Sequence, residues 1–200
     1  MLYTIAHFLK DQMPWLWNLI DVVNSQLFSL RYGKRLKSIE GNLIKKYTQK
    51  SGYRICRIRD VESLQLADFF SRQPKEAYKY FKPHGFDIKS IQTLQKSRSF
   101  LAYSLMDDCN NEIVGYCFNR SFFHGKGFRG TMVDINYRGK GIGTIMKKML
   151  NEIGFGIGLR LFTTISKDNV ASYRSALSAS KVKVLKETKD NELYLEILPD

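Results

Sequence analysis

Cysteine, histidine and proline are scarce in this chain of 200 residues, which holds 3, 3 and 4 of them respectively. Cys56, Cys109 and Cys117 form no CxxC pair, so the sequence encodes neither a disulfide framework nor a cysteine-based zinc site. The histidines are scattered without HExxH or a comparable metal-ligand spacing. We therefore expect a protein of the reducing cytoplasm that holds no metal.

A long uninterrupted apolar run is also missing. Residues 1–30 are rich in Leu, Ile, Phe and Trp, but Lys10, Asp11, Pro14 and Asp21 interrupt them. A bilayer span needs roughly 20 consecutive apolar residues, so no transmembrane helix is expected here. A cleaved secretory signal is not expected either, because no basic region precedes the apolar stretch.

Acidic residues are outnumbered by basic ones. The chain carries 32 Lys and Arg against 19 Asp and Glu, a net charge of +13. Such a charge favours a polyanionic partner, which would be a nucleotide-bearing cofactor, a nucleic acid or an anionic membrane. The sequence contains no nucleic-acid recognition motif, so we do not expect nucleic acid as the partner.

The length suits one domain and an extension of roughly 50 residues. We predict a basic, aromatic and helical extension over residues 1–50, with breaks at Gly33 and Gly41, and a domain over residues 51–200.

An apolar segment leads into a basic one within residues 1–37, as in helices that lie in a membrane interface. Peripheral membrane contact is therefore one interpretation. The interpretation that we favour is packing of this helix on the domain, or on a second copy in a homodimer.

Hydrophobic periodicity divides the rest of the chain into strands and helices, which predicts a mixed α/β (α+β) fold. Strands are predicted at 53–58, 99–106, 112–118, 128–135, 159–165, 182–187 and 192–198, and helices at 61–70, 88–95, 142–153 and 169–179. Four polar side chains of the helix over 142–153 are expected to face water. These are Lys147, Lys148, Asn151 and Glu152.

A glycine-rich segment between a predicted strand and a predicted helix is the sharpest local signal. It reads Arg138, Gly139, Lys140, Gly141, Ile142, Gly143, Thr144. Glycine lets backbone amides approach an anion, and the helix amino terminus adds a partial positive charge. The pattern is neither GxGxxG nor GxxxxGK[ST], which argues against a dinucleotide fold and a P-loop. Although glycine also serves tight turns for steric reasons, the two cations and the helix favour a bound pyrophosphate.

The stretch from Val133 to Gly143 resembles the coenzyme A loop of the GNAT superfamily of N-acyltransferases, whose pattern is Arg/Gln-x-x-Gly-x-Gly/Ala after a strand. The resemblance implies a central mixed, mostly antiparallel sheet flanked by helices, and acetyl-CoA or another acyl-CoA as co-substrate. It implies that the loop amides bind the pyrophosphate and that Val133 and Ile135 pair with the pantetheine arm. It also assigns Asn169, which heads the second helix, and Ser172 to the pantetheine.

The catalytic residues are less clear, because many family members carry a tyrosine where this chain has Ala176. Tyr173, four positions after Asn169, lies on an adjoining part of the helix face and is the candidate acid, with core packing as the alternative. Asp134 and His124 are the nearest candidates for a general base, unless Asp134 only begins the turn and His124 is solvated. Positioning of amine and thioester, with amides that polarise the carbonyl, would need no dedicated base.

The expected function is transfer of an acyl group, most commonly acetyl, to a primary amine of a small acceptor in a ternary complex. Basic residues would suit an anionic acceptor such as an amino sugar. Two alternatives stay open: a non-catalytic CoA-binding module, and a basic protein that binds a membrane surface or nucleic acid. Four aromatic residues are predicted to wall the acceptor pocket: Tyr78, Tyr80, Phe81 and Phe86.

Overall fold

The computed structural model describes residues 14–188 and 190–199, and its first element is helix α1, Pro14–Ser51. Residues 1–13 of the predicted membrane-contact segment lie outside the described residues, as do the side chains of Pro14, Trp15 and Trp17. The helix runs unbroken through Gly33 and Gly41, so the breaks predicted there are wrong. Its buried side chains on both sides of these glycines explain the continuity, because tertiary packing outweighs the weak helix propensity of glycine.

Seven strands within the described residues form one sheet, in the order β1-β2-β3-β4-β5-β7-β6. Every neighbouring pair is antiparallel except β4 and β5, which are parallel. The prediction of a mixed, mostly antiparallel sheet is therefore confirmed. The strands are β1 (Arg54–Arg57), β2 (Phe100–Asp107), β3 (Glu112–Ser121), β4 (Lys126–Val133), β5 (Arg160–Ser166), β6 (Val182–Glu187) and β7 (Glu192–Ile197).

Helices cover both faces of the sheet. Helix α1 packs against α4 on one face, and α2 and α3 lie over β3 and its neighbours on the other. Helix α5 packs between α4 and β5. The bounds are α2 (Ser63–Ser71), α3 (Ile88–Lys96), α4 (Ile142–Ile157) and α5 (Val170–Ala179), with 3-10 turns at Ile58–Asp60, Lys75–Lys79 and Ile135–Tyr137.

Polar contacts as well as apolar ones join α1 to the sheet. Glu40, which is 8% exposed, accepts a hydrogen bond from the Tyr103 hydroxyl at 2.7 Å and pairs with Arg57 at 2.9 Å. A buried carboxylate is tolerated only when it is paired in this way. The helix thus shares the core of the sheet, while the proposed boundary at residue 50 stays a prediction.

The first turns of α1 leave apolar side chains exposed. Their exposed fractions range from 39% to 83%, although singly exposed apolar residues are common in proteins. Nowhere in residues 14–188 or 190–199 is there a helix long and apolar enough to cross a membrane. The exposed residues are Leu19, Ile20, Val22, Val23, Leu27 and Leu30.

The parallel strands β4 and β5 separate soon after they meet. They pair only from Lys126–Arg160 to Phe128–Phe162, and β4 continues to Val133 paired with β3 alone. A strand's backbone groups point alternately to its two neighbours, and the carbonyl of Arg129 faces β5, where it accepts from the Thr163 hydroxyl at 3.1 Å. The N–H and C=O groups of Thr131 and Val133 therefore point into the opening between the strands.

Candidate active site

Strand β4 ends two residues earlier than the sequence suggests. Asp134 accepts a hydrogen bond from the amide of Asn136 at 3.0 Å and so starts the 3-10 turn. Ile135 consequently leaves the strand and is 44% exposed, with its amide donated to Gln73. The prediction of a strand through Ile135 is wrong, whereas Val133 does lie on the open edge.

Glycine is required twice in the loop that follows. Gly139 and Gly141 have φ values of +77° and +76°, in the left-handed region that other residues rarely adopt. Gly141 is the residue that caps the amino terminus of α4. A Cβ atom built on either glycine would meet no atom within 4 Å, so the space in front of the loop is open.

The amides of this loop form a row of free donors. From Gly139 to Gly143 they have no protein acceptor among the described residues, while Thr144 and Ile145 donate to the Gly141 carbonyl. Arg138 and Lys140 are exposed beside them. Free amides, a helix amino terminus and two cations are the groups that hold a pyrophosphate, so the loop fits the phosphates of coenzyme A.

Helix α5 lies against the loop and the end of β4. A Cβ on Gly143 would lie 3.5 Å from both the Val133 side chain and the Ser175 hydroxyl. Ser175 also contacts the Thr144 hydroxyl at 3.1 Å. The structure therefore brings Val133, Gly143 and Thr144 together at the mouth of the opening.

Asn169 has a local structural role. Its side-chain oxygen accepts from the Ser172 amide at 3.1 Å and caps α5. Its amide nitrogen remains able to donate. Asn169 and Ser172 thus lie together in the first turn of α5.

Asp134 is 2% exposed and surrounded by donors. Its Oδ2 accepts from Arg72 at 3.0 Å and from Gln73 at 2.9 Å, in addition to the bond from Asn136 to Oδ1. Burial on its own raises the pKa of Asp134, but these hydrogen bonds and the Arg72 charge lower it below its ordinary value. This environment suits a carboxylate that holds the turn in place.

Tyr173 and His124 lie in different surroundings. Tyr173 is half-buried against Ile165 and Ala176, and its hydroxyl has no partner in the described part of the chain. Ala176, the position where the family resemblance leads one to expect a tyrosine, is fully buried and belongs to the core. His124 is exposed and stacks on Phe122 before β4, about one strand length of 25 Å from the loop that follows β4.

The aromatic residues predicted to wall a pocket lie near the α2 and α3 face. Tyr78 and Phe81 are half-buried against Phe86, which contacts His84, whereas Tyr80 is 40% exposed. Burial lowers the pKa of His84 to about 4, so this imidazole is neutral at pH 7.

Two buried cations near the opening are the features that sequence reasoning missed. Arg129 and Lys147 are each 5% exposed. Lys147 and Asn151 were expected to face water, and this expectation is wrong because Lys147 lies against α5 and Asn151 accepts a hydrogen bond from Arg129 of β4. Burial lowers the pKa of Arg129 to about 9, and burial with the Arg129 charge lowers that of Lys147 to about 7. Lys147 and Asn151 are four residues apart on one helix and so share a face, but their burial depends on elements distant in the sequence.

Comparison with known proteins decides the family. The model of the acetyltransferase (GNAT) family matches residues 58–176, which is more than half of the chain. The chain belongs to the GNAT family. No curated protein sequence matches it significantly.

Solved structures confirm the GNAT fold. The GNAT domain of S. lividans PAT has a TM-score of 0.61 at 11% identity, over 72% of this chain and 89% of that one. The ribosomal-protein-S5-alanine acetyltransferase of Vibrio fischeri has a TM-score of 0.60 at 15% identity, over 72% and 91%. Aminoglycoside acetyltransferase AAC(6')-Ib with coenzyme A and kanamycin has a TM-score of 0.52 at 17% identity, over 71% and 92%.

Replacement of Lys147 by Met should raise stability at neutral pH and flatten its pH dependence. The pKa of Lys147 is about 7 in the folded protein against 10.5 for the ordinary group, so the unfolded chain binds more protons between these values. Stability of the wild type should therefore rise with pH across this window, and K147M should lose that rise. Urea unfolding at pH 6, 7.5 and 9 measures it, with an expected gain on the order of a few kcal/mol at pH 6, since one pKa unit is about 1.4 kcal/mol.

Lys148→Met is the matched control, because Lys148 is the half-exposed neighbour on the same helix. Its pH profile should follow the wild type. Parallel profiles for K147M and the wild type would show that Lys147 is not held in a desolvated site.

Proposed function

We propose that this GNAT protein transfers an acyl group, acetyl above all, from acyl-CoA to a primary amine of a small acceptor within a ternary complex. The observation that carries this proposal is the row of free amides from Gly139 to Gly143, next to the open edge of β4. Similar structures named as aminoglycoside and ribosomal-protein acetyltransferases support an amine as the acceptor class.

The loop and β4 would hold the two ends of one extended ligand. The backbone amides of residues 139–143 would donate to the pyrophosphate. Ile142 and Thr144 belong to the first turn of α4, which would hold these amides in position. Val133 and Thr131 would bond the amide groups of the pantetheine arm, as a neighbouring strand would. Asn169 and Ser172 would contact the same arm from α5. When bound, the donor supplies a thioester carbonyl as the electrophile.

Positioning would provide most of the rate enhancement. Backbone amides of β4 near the point of strand separation would polarise the carbonyl, and a cleft that orders both reactants lowers the entropic part of the barrier. Asp134 is committed to Arg72 and Gln73, so we assign it to support of the loop and not to proton abstraction. Tyr173 remains our proposed acid for the departing thiolate.

The acceptor would enter near the loop that precedes α5. The pKa of Lys79 is raised, mainly by its hydrogen bond with Tyr80 and to a smaller extent by the charge of Asp168 in this loop. Lys79 and Tyr80 therefore lie close to the loop. Exposed aromatic and basic groups here suit a polar, anionic amine. An amino sugar that carries a phosphate fits this description.

The exposed apolar residues of α1 favour a second, separate role. We propose that its first turns contact a membrane interface or a second copy of the chain inside the cytoplasm. The basic residues Arg31, Lys34, Arg35 and Lys37 follow directly, which is the order of charges that suits an anionic surface.

Replacement of Gly143 by Val should weaken CoA binding without unfolding the protein. The new side chain would project between Val133 and Ser175, where the pantetheine arm would leave the loop, while the helical backbone accepts any L residue. We expect the dissociation constant for CoA to rise at least about tenfold, which is about 1.4 kcal/mol. Isothermal titration calorimetry measures it.

Gly41→Val is the control, because this glycine lies on an exposed part of α1 with no atom within 4 Å of its Cβ position. Like G143V, the G41V variant replaces a helical glycine by valine, but its new side chain does not touch the loop. Equal CoA affinity of G143V and G41V, both folded, would argue against the proposed binding path.

Replacement of Tyr173 by Phe should slow turnover and leave CoA affinity unchanged, if its hydroxyl protonates the thiolate. General acids contribute roughly 100-fold or more, so we expect kcat to fall by about that factor. CoA release is measured with a panel of amines that includes amino sugars, polyamines and peptide amino termini. An unaltered kcat with the best acceptor would assign Tyr173 to packing alone.

A further inference from the structure

Arg129 presents an unused hydrogen-bonding edge inside the protein. Its Nη1 donates to Asn151 Oδ1, whereas Nε and Nη2 are buried and have no partner among the described residues. Nε and Nη2 form one side of the guanidinium fork, the geometry that binds the two oxygens of a carboxylate. The side chain is thus held by one nitrogen and free at the edge that recognises oxyanions.

No carboxylate among the described residues neutralises the charge of Arg129 or of its neighbour Lys147. Lys147 lies close enough for the Arg129 charge to act on it, and its Nζ donates to the Ser172 carbonyl at 3.3 Å. Within residues 14–188 and 190–199 neither cation forms an ion pair with a carboxylate. Buried charges in proteins are normally paired or shifted towards the neutral form, as the lowered pKa of Lys147 shows, so a bound anion would stabilise both cations.

The neighbouring polar groups can complete such a site. Asn151 Nδ2 is a further buried donor without a partner in the described structure. Asn119, paired with Arg129 across β3 and β4, donates from its Nδ2 to the Leu150 carbonyl at 2.8 Å, and its Oδ1 is a buried acceptor without a partner in the described structure. The adjacent Cys117 thiol stays neutral because burial raises its pKa. The site therefore offers donors and positive charge without a competing anion.

The position of Arg129 connects it with the opening between β4 and β5, which is the proposed CoA groove. Arg129 is the first residue of β4 beyond the last pair with β5, so it lies where the two strands separate. It is four residues, about 13 Å, from Val133 at the mouth of the groove. Lys147 and Ser172 bring α4 and α5 to the same point. A pantetheine arm that follows the edge of β4 inwards would approach these groups.

We propose that Arg129 and Lys147 bind a carboxylate at the inner end of the groove, supplied by the acyl chain of the donor or by the acceptor. The proposal rests on the proposed function only for the source of the carboxylate. A donor source means an acyl-CoA with a terminal carboxylate. An acceptor source means an amine that carries a carboxylate.

Calorimetry with succinyl-CoA and butyryl-CoA tests the donor source, because the two acyl chains have four carbons and differ in the terminal carboxylate. We expect the wild type to bind succinyl-CoA at least tenfold more tightly. Lys147→Met and Arg129→Gln should abolish the preference while butyryl-CoA binding persists. Lys148→Met should retain it.

Thermal shift with acetate, run with and without saturating CoA and against chloride of equal ionic strength, tests the carboxylate site itself. Stabilisation of the wild type but not of K147M, with equal affinity for the two acyl-CoAs, supports an acceptor source. If the wild type binds both acyl-CoAs equally and acetate stabilises it no more than K147M, the carboxylate site is refuted. If neither acyl-CoA binds, the proposed function fails, and the acetate response without CoA still decides whether the site exists.

Discussion

The separation of β4 from β5 is the constraint on which the rest of this structure depends. Two parallel strands that pair for three residues and then diverge leave backbone donors and acceptors on β4 without a neighbour. Buried backbone groups need partners, so an extended, amide-containing ligand would be stabilised in the opening in the manner of a strand. The glycine loop follows β4 directly, and the free amides that we propose for phosphate binding therefore lie at the mouth of the same opening.

The helices decide how that opening is closed. Helix α5 covers the side of α4 that would otherwise face water, and α1 covers another side, so α4 carries buried polar residues within a largely apolar surround. Glu40 on α1 has Arg57 and Tyr103 as partners, whereas Arg129 and Lys147 have no carboxylate among the described residues. Glu40 is thus a paired buried charge, whereas the two cations without a carboxylate among the described residues lie near the point where β4 and β5 separate.

Local patterns predicted the elements and the loop, but not the environment of single side chains. The period of the apolar residues located the strands and α-helices that the structure describes after α1, but not the 3-10 turns, and glycines between strand and helix located the loop. Both signals lie within a few neighbouring residues. Ile135 was misassigned because the Asp134 cap ends the strand early. Lys147 was misassigned because its burial is caused by α5, more than 20 residues further along the chain. Gly33 and Gly41 were misjudged for the same reason, since the core holds α1 together.

A crystal structure of the protein with CoA tests the central claim most directly. The account predicts pyrophosphate oxygens within hydrogen-bonding distance, about 3 Å, of the amides in Gly139–Gly143, and a pantetheine arm bonded to Val133 and Thr131 between the separated strands. CoA bound elsewhere on the surface, or a groove that stays shut at saturating CoA, would contradict it.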